Sequence, residues 1–96
     1  LKTHRIAASV LIPSFGNPHG ANLSEERRRK VVDLSRRRGV PIIEDDIYAE
    51  LGFGPTQPRP LKALAGSSDV ILCGSFSKSL SPALRVGWAL AGRHAE

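Results

Sequence analysis

The 96-residue chain has a single cysteine, Cys73, one tryptophan and one tyrosine, and aromatic residues make up only 5% of it. One cysteine excludes an internal disulfide. Within "VILCG" it reads as a small buried hydrophobe in a reducing compartment, so the cytoplasm is the expected location. Long apolar runs are also lacking. None approaches the ~18 residues that span a bilayer, so no membrane partner is expected. Residues 1–5 are polar and lead directly into a strand-like stretch, which is not the pattern of a cleavable leader. No internal repeat or low-complexity segment is visible. The loop after the first apolar run lacks G-x-G-x-x-G spacing, which argues against a dinucleotide-binding turn.

What remains is an ordinary globular composition, 41% hydrophobic and 24% charged. A chain of this length can bury one modest core. The formal charge of +5 is concentrated locally: Arg27, Arg28, Arg29, Lys30, Arg36, Arg37 and Arg38 are half of the 14 basic residues. Such a cluster can contact phosphate backbones, and a nucleic-acid-binding module using Arg27–Arg38 is one reading. The plainer reading is a solvated helix face whose last arginines favour the negative end of the dipole. No aromatic interleaving accompanies the cluster, and the plainer reading is preferred.

Punctuation along the chain gives a strand–helix–strand pattern. Residues 6–12, "IAASVLI", read as a buried strand ended by Pro13, and "PSFGNPHGANLS" as a loop. Ser24 is a natural N-cap with Glu25 and Glu26 in the first turn, and the helix is predicted to run to Arg38 and stop at Gly39. Its narrow apolar stripe is Val31, Val32 and Leu34 with Ser35. Residues 40–43 and 70–73 are the second and third strands. "LKALAG" forms a short helix, and residues 86–90 make a fourth strand. The pattern predicts α/β architecture with parallel strands buried on both faces.

Polar and ionisable residues follow the C-terminal ends of the first three strands: Asn17, then Asp45 with Tyr48, then Ser75, Ser77 and Lys78. In a parallel sheet these ends share one edge, where open α/β folds bind ligands. A lysine amine forms a Schiff base with a carbonyl once deprotonated, and Lys78, directly after a strand, is placed for partial burial. A rim lysine is the alternative. Lys2, Lys30 and Lys62 lie at a terminus, in the charged helix and in a loop-flanked segment. Asp45 and Asp46 are adjacent in a strand and point to opposite faces, so they are not an acid/base pair. One can face a site while the other pairs with helix basics or caps a turn. Tyr48 can hydrogen-bond a ligand or pack on the core. Arg85, between Leu84 and Val86, needs a fixed anionic partner, either a phosphate shared with Ser75 or a structural carboxylate.

Together these residues resemble the large domain of fold-type I pyridoxal-phosphate-dependent aminotransferases. The matching elements are Asn17-Pro18-x-Gly20, Asp45-x-x-Tyr48, and Ser75-x-Ser77-Lys78 with Arg85 and Gly87-Trp88. The stretches "PIIEDDIYAELGFG", "PRPLKAL" and "SFSKSLSPALRVGW" look most similar to the aminotransferase-like domain of GntR/MocR-type transcriptional regulators. Stand-alone class I/II aminotransferases carry similar stretches. The resemblance implies a three-layer α/β/α fragment whose mostly parallel sheet has an antiparallel last strand. It implies pyridoxal 5'-phosphate as cofactor and no metal. Lys78 would be the catalytic Schiff-base lysine and Asp45 the partner of the pyridine nitrogen. Asn17 and Tyr48 would bond the ring's 3-oxygen, and Ser75, Arg85 and Ser77 the phosphate. Asp46 matches no role. An amino acid or 2-oxo acid is the implied ligand and a homodimer the implied assembly. DNA would be bound only through a winged helix not present in residues 1–96. The resemblance also implies that the 96 residues are a partial large domain, without the small domain, and inactive in isolation.

Overall fold

A computed structural model describes residues 4–66 and 69–95, and Lys2 therefore lies outside the described residues. Four strands form one sheet in the order β1-β2-β3-β4: β1 (Ser9–Leu11), β2 (Ile42–Asp45), β3 (Val70–Ser75) and β4 (Gly87–Leu90). β1, β2 and β3 are parallel, and β4 is antiparallel to β3, as the resemblance implies. The helices α1 (Glu25–Arg38) and α2 (Leu61–Ala65) fill the two crossovers. Short 3-10 turns occupy Ala49–Leu51, Pro82–Leu84 and Gly92–His94.

α1 begins and ends where its local chemistry dictates. The Ser24 hydroxyl accepts from the Arg27 N–H at 3.4 Å, which satisfies one of the free donors of the first turn. Gly39 adopts φ 60 and ψ 30, and its N–H returns to the Arg36 carbonyl. A side chain at that left-handed position would be strained.

The core comprises Val32 of α1, Ile42 of β2, Leu61 of α2 and Val70 of β3, with Leu11, Val31 and Ala65 packed against it. Ile42 is paired with Val70 in the sheet, so α1 and α2 cover the same face. The described residues therefore provide two layers, a sheet and one helical layer. Strand positions alternate between faces: Ile42 and Glu44 point to the helices, Ile43 and Asp45 to the open face. The expectation of strands buried on both faces is not met. Val10 is exposed and every residue of β4 is exposed. Cys73, on the open face, is half-buried rather than buried.

Strand boundaries also differ from the expected ones. The first strand is three residues long because β1 is an edge, paired only with β2, and Ile6 lies outside it and is exposed. β2 starts two residues later than expected and reaches Asp45, and β3 continues to Ser75. Leu34, expected in the buried stripe of α1, is exposed. Ser35 is buried as expected, and Arg28, outside the expected stripe, is buried as well.

Candidate functional site

The first three strands are parallel, so their C-terminal ends lie along one edge of the sheet. After β1 the chain forms a loop closed at its neck by a bond from the Leu23 N–H to the Pro13 carbonyl, 2.9 Å. Asn17 sits in this loop, and the Asn17–Pro18 bond is cis. The Asn17 side-chain amide donates to the Tyr48 hydroxyl at 3.4 Å, across 31 residues of sequence. Tyr48 is half-buried and keeps its own proton available for a further acceptor. These two residues are therefore neighbours, as expected, and Tyr48 is not simply a core aromatic.

Asp45 is the last residue of β2. Its Oδ1 accepts from the Ile47 N–H at 3.2 Å, which fixes the side chain and leaves the other oxygen for a donor outside the chain. It shares the open face with Cys73, its register partner, and with Ser75 two residues on. Asp46 points the opposite way, into the electrostatic reach of Arg28, as expected of adjacent strand residues.

β3 ends at Ser75, whose Oγ accepts from the Ser77 N–H at 3.1 Å. The following turn is closed by the Leu80 and Ser81 N–H groups on the Phe76 carbonyl, 2.9 and 3.0 Å. Ser81 then caps the next turn through Ala83 N–H at 3.2 Å. The Phe76 N–H bonds the Val86 carbonyl at 3.2 Å, returning the chain beside Ser75. Arg85 sits at this return with φ 51 and ψ 35, a left-handed conformation uncommon outside glycine. Lys78, expected to be partly buried, is exposed on the rim, because among the described residues both helices lie on the other face of the sheet.

Ile47, Ser75, Ser77, Lys78, Pro82, Arg85, Val86 and Gly87 line an open cleft of about 470 Å³. Among the described residues neither Lys78 nor Arg85 forms an ion pair; the four salt bridges present are made by other residues. The described residues place no structural carboxylate on Arg85. Two unpaired cations beside two serine hydroxyls form a donor set suited to a phosphate, and Lys78 adds an amine suited to an aldehyde. The residues fit pyridoxal phosphate. Among the described residues no cluster of three or more His, Cys, Asp or Glu side chains is arranged to hold a metal. Likewise, no described helix is long and apolar enough to cross a membrane.

Sequence reasoning missed a buried charged group behind the site. Glu44, 0% exposed, accepts the backbone N–H groups of Leu61 and Lys62 at 2.7 and 2.9 Å and so caps α2. Burial raises its pKa, and those two donors pull it back. Burial likewise raises Asp46, opposed by Arg28 and by a bond from Ser14. Arg28, expected on a solvated face, is 1% exposed. Burial lowers its pKa while Glu44 and Asp46 oppose the shift. A carboxylate ending an apolar strand ("PIIEDD") was the available signal, but only the tertiary partners distinguish a buried charge from a surface one.

Half of the other basics of α1 are paired along the helix: Arg29 with Glu25, Lys30 with Glu26, Arg36 with Asp33. Together with the buried Arg28 this leaves Arg27, Arg37 and Arg38 as the unengaged part of the cluster, which weakens the nucleic-acid reading.

Residues 2–95 match the family model described as "Aminotransferase class I and II". The chain belongs to that family. It is 49% identical over 81 residues to the uncharacterised HTH-type transcriptional regulator YisV of Bacillus subtilis (strain 168), covering 84% of this chain and 16% of that protein. It is 39% identical over 83 residues to the aromatic-amino-acid aminotransferase 1 of Thermococcus litoralis, covering 86% of this chain and 20% of that protein. Among solved structures it resembles LysN, the alpha-aminoadipate aminotransferase of Thermus thermophilus, complexed with N-(5'-phosphopyridoxyl)-L-leucine. That match has TM-score 0.83 and 42% identity, and covers 92% of this chain and 23% of LysN. The chain thus spans about a fifth of the length of the proteins it matches.

Proposed function

We propose that residues 1–96 are part of a pyridoxal-phosphate-binding large domain, and that the parent protein is a GntR/MocR-type regulator sensing the cofactor or an amino acid. The observation that carries the cofactor reading is the convergence at one sheet edge of Lys78, Ser75, Ser77 and an Arg85 without a carboxylate partner. The Asn17–Tyr48 contact beside the end of β2 supports it. The regulator reading is favoured by the 49% identity to YisV, against 39% to the aromatic aminotransferase. A stand-alone aminotransferase is the second reading, supported by the likeness to LysN. In either case a homodimer, an amino-acid or 2-oxo-acid ligand and a cytoplasmic location belong to the proposal. DNA contact belongs to the regulator reading alone, through a winged helix outside these residues.

Pyridoxal phosphate, when bound, supplies an aldehyde and a ring that withdraws electrons from the substrate's α-carbon. Each residue of the chain then has a role its chemistry allows. Lys78 would be the amine that holds the aldehyde and moves a proton at the substrate's α-carbon. Asp45 would hold a proton on the ring nitrogen through its free oxygen. Asn17 and Tyr48 would donate to the ring's 3-oxygen. Arg85 and Ser75, with Ser77, would hold the phosphate through charge-assisted hydrogen bonds.

The test is absorbance. Adding pyridoxal phosphate to the protein should produce a visible band that Lys78→Ala abolishes; an equal band in both proteins would refute the assignment. For the 96-residue chain alone we expect no turnover of an amino acid with a 2-oxo acid, and measurable turnover would show the partial-domain reading to be wrong. With the complete protein, duplex binding that weakens steeply with salt separates regulator from enzyme.

A further inference from the structure

One buried cation has no part in the site described above. Arg28 spends all three guanidinium nitrogens on acceptors from three separate segments. Its Nη2 donates to the Pro13 carbonyl at 2.8 Å and the Ser14 hydroxyl at 3.0 Å. Its Nε donates to the Leu23 carbonyl at 2.9 Å, and its Nη1 to the Arg59 carbonyl at 3.1 Å. Pro13 and Leu23 are the two ends of the loop that carries Asn17.

That loop is a bonded unit in its own right. Leu23 N–H meets the Pro13 carbonyl at its neck, Gly16 N–H meets the Ala21 carbonyl at 3.1 Å, and Phe15 N–H meets the Asn22 side chain at 2.8 Å. A unit of this kind moves as one body about its neck, so whatever grips the neck sets where its tip lies. At the tip, the Asn17 amide reaches Tyr48 at 3.4 Å, a distance that a small tilt would break. Burying a cation that cannot discharge is costly, and only a full set of acceptors offsets the cost. A lysine could not replace it, because a single nitrogen cannot face both ends of the neck and Arg59 together.

We infer that Arg28 is a positioning residue: by gripping both ends of the 13–23 loop it holds the Asn17 amide against the Tyr48 hydroxyl. It thereby tunes the cofactor's surroundings without touching the cofactor. The functional half rests on the pyridoxal-phosphate reading; the clamp itself rests on the geometry of this chain.

Arg28→Lys keeps the charge and removes the fork, and it tests the two halves separately. Without cofactor, amide hydrogen exchange at Gly16 and Leu23 should accelerate about tenfold or more while α1 keeps its protection. Wild-type exchange in the loop would overturn the clamp. With pyridoxal phosphate bound, the pH midpoint of the visible band should shift in the same direction as in Asn17→Ala, by up to about one unit. The double variant should then show no further shift, because Arg28 acts through Asn17. Additive shifts, or a wild-type midpoint in R28K, would overturn the coupling. If R28K does not fold, Ser14→Ala removes one acceptor and leaves the guanidinium in place. Faster exchange at Phe15 and Gly16 supports the clamp, and unchanged exchange overturns it. A wild type with no visible band refutes the cofactor reading and the coupling with it, while the exchange result still decides the clamp.

Discussion

Gly74→Ala is the substitution whose consequence follows most directly from the coordinates. Gly74 lies opposite Trp88 in the β3–β4 pair, and the indole rests over the bare Cα. A Cβ at position 74 would stand 2.2 Å from Cζ2 and 2.6 Å from Cε2 of Trp88. Carbon atoms in contact sit at ~3.5–4.0 Å, so the ring must retreat by more than about 1 Å. Trp88 is 45% exposed, so roughly half of the ~150–250 Å² that a tryptophan can bury is at stake. At ~25 cal/mol per Å² that is about 2–3 kcal/mol if the ring leaves its place. Accommodating it by strain instead costs about 1–3 kcal/mol. The two routes overlap at about 2–3 kcal/mol, and at about 4–8 °C per kcal/mol for a domain of this size Tm should fall by roughly 8–24 °C. Trp88 is the chain's single tryptophan, so its fluorescence reports both the unfolding midpoint and the ring's exposure, and G74A should shift the folded-state emission to the red. Gly54→Ala is the control, because a Cβ there meets only the Thr56 carbonyl at 3.9 Å and should change stability by less than about 0.5 kcal/mol. Identical emission and stability in G74A and the wild type would refute the reasoning.

Three further outcomes are expected. Glu44 and Asp46 have folded-state pKa values raised above the ordinary 4.5 and 3.8, chiefly by burial. The native state therefore binds more protons than the unfolded chain above those ordinary values, and stability should rise as pH falls from neutrality toward the ordinary carboxylate range. Denaturation midpoints across that range test the sign, and Asp46→Asn should flatten the slope; a steady loss of stability on acidification would contradict both assignments. Asp45→Asn retains a carbonyl oxygen for the Ile47 N–H and should fold normally, yet it should lower any turnover by the complete protein about 10²-fold or more. Arg85→Gln should weaken cofactor binding about tenfold or more, read by titrating the visible band, with little change in unfolding midpoint because Arg85 has no ion-pair partner among the described residues to lose.

What was legible in the sequence depended on how local its cause is. α1 could be read from Ser24 to Gly39 because capping and left-handed termination are decided within a few residues. The order of the strands, and with it the placing of Asn17, Asp45, Tyr48, Ser75 and Lys78 at or after the C-terminal ends of β1, β2 and β3, followed from apolar runs and parallel topology. Strand ends were not legible, because Ile6 and Val10 are as apolar as core residues and only their edge position leaves them exposed. Nor was the burial of Arg28 and Glu44. An arginine in "EERRRK" and a glutamate before two aspartates look like surface residues until the carbonyls of Pro13, Leu23 and Arg59, and the N–H groups of Leu61 and Lys62, are seen around them. The exposure of Lys78 was missed for the opposite reason: a position after an apolar strand suggests cover, and the described residues place none on the open face of the sheet.

The central claim is that one amine among several is set to bond an aldehyde whose phosphate lies beside Arg85. Borohydride reduction of the protein with stoichiometric pyridoxal phosphate, followed by peptide mapping, tests it directly. The account predicts the phosphopyridoxyl group on Lys78, with Lys2, Lys30 and Lys62 unlabelled. Label spread evenly over the lysines, or absent from Lys78, would contradict it.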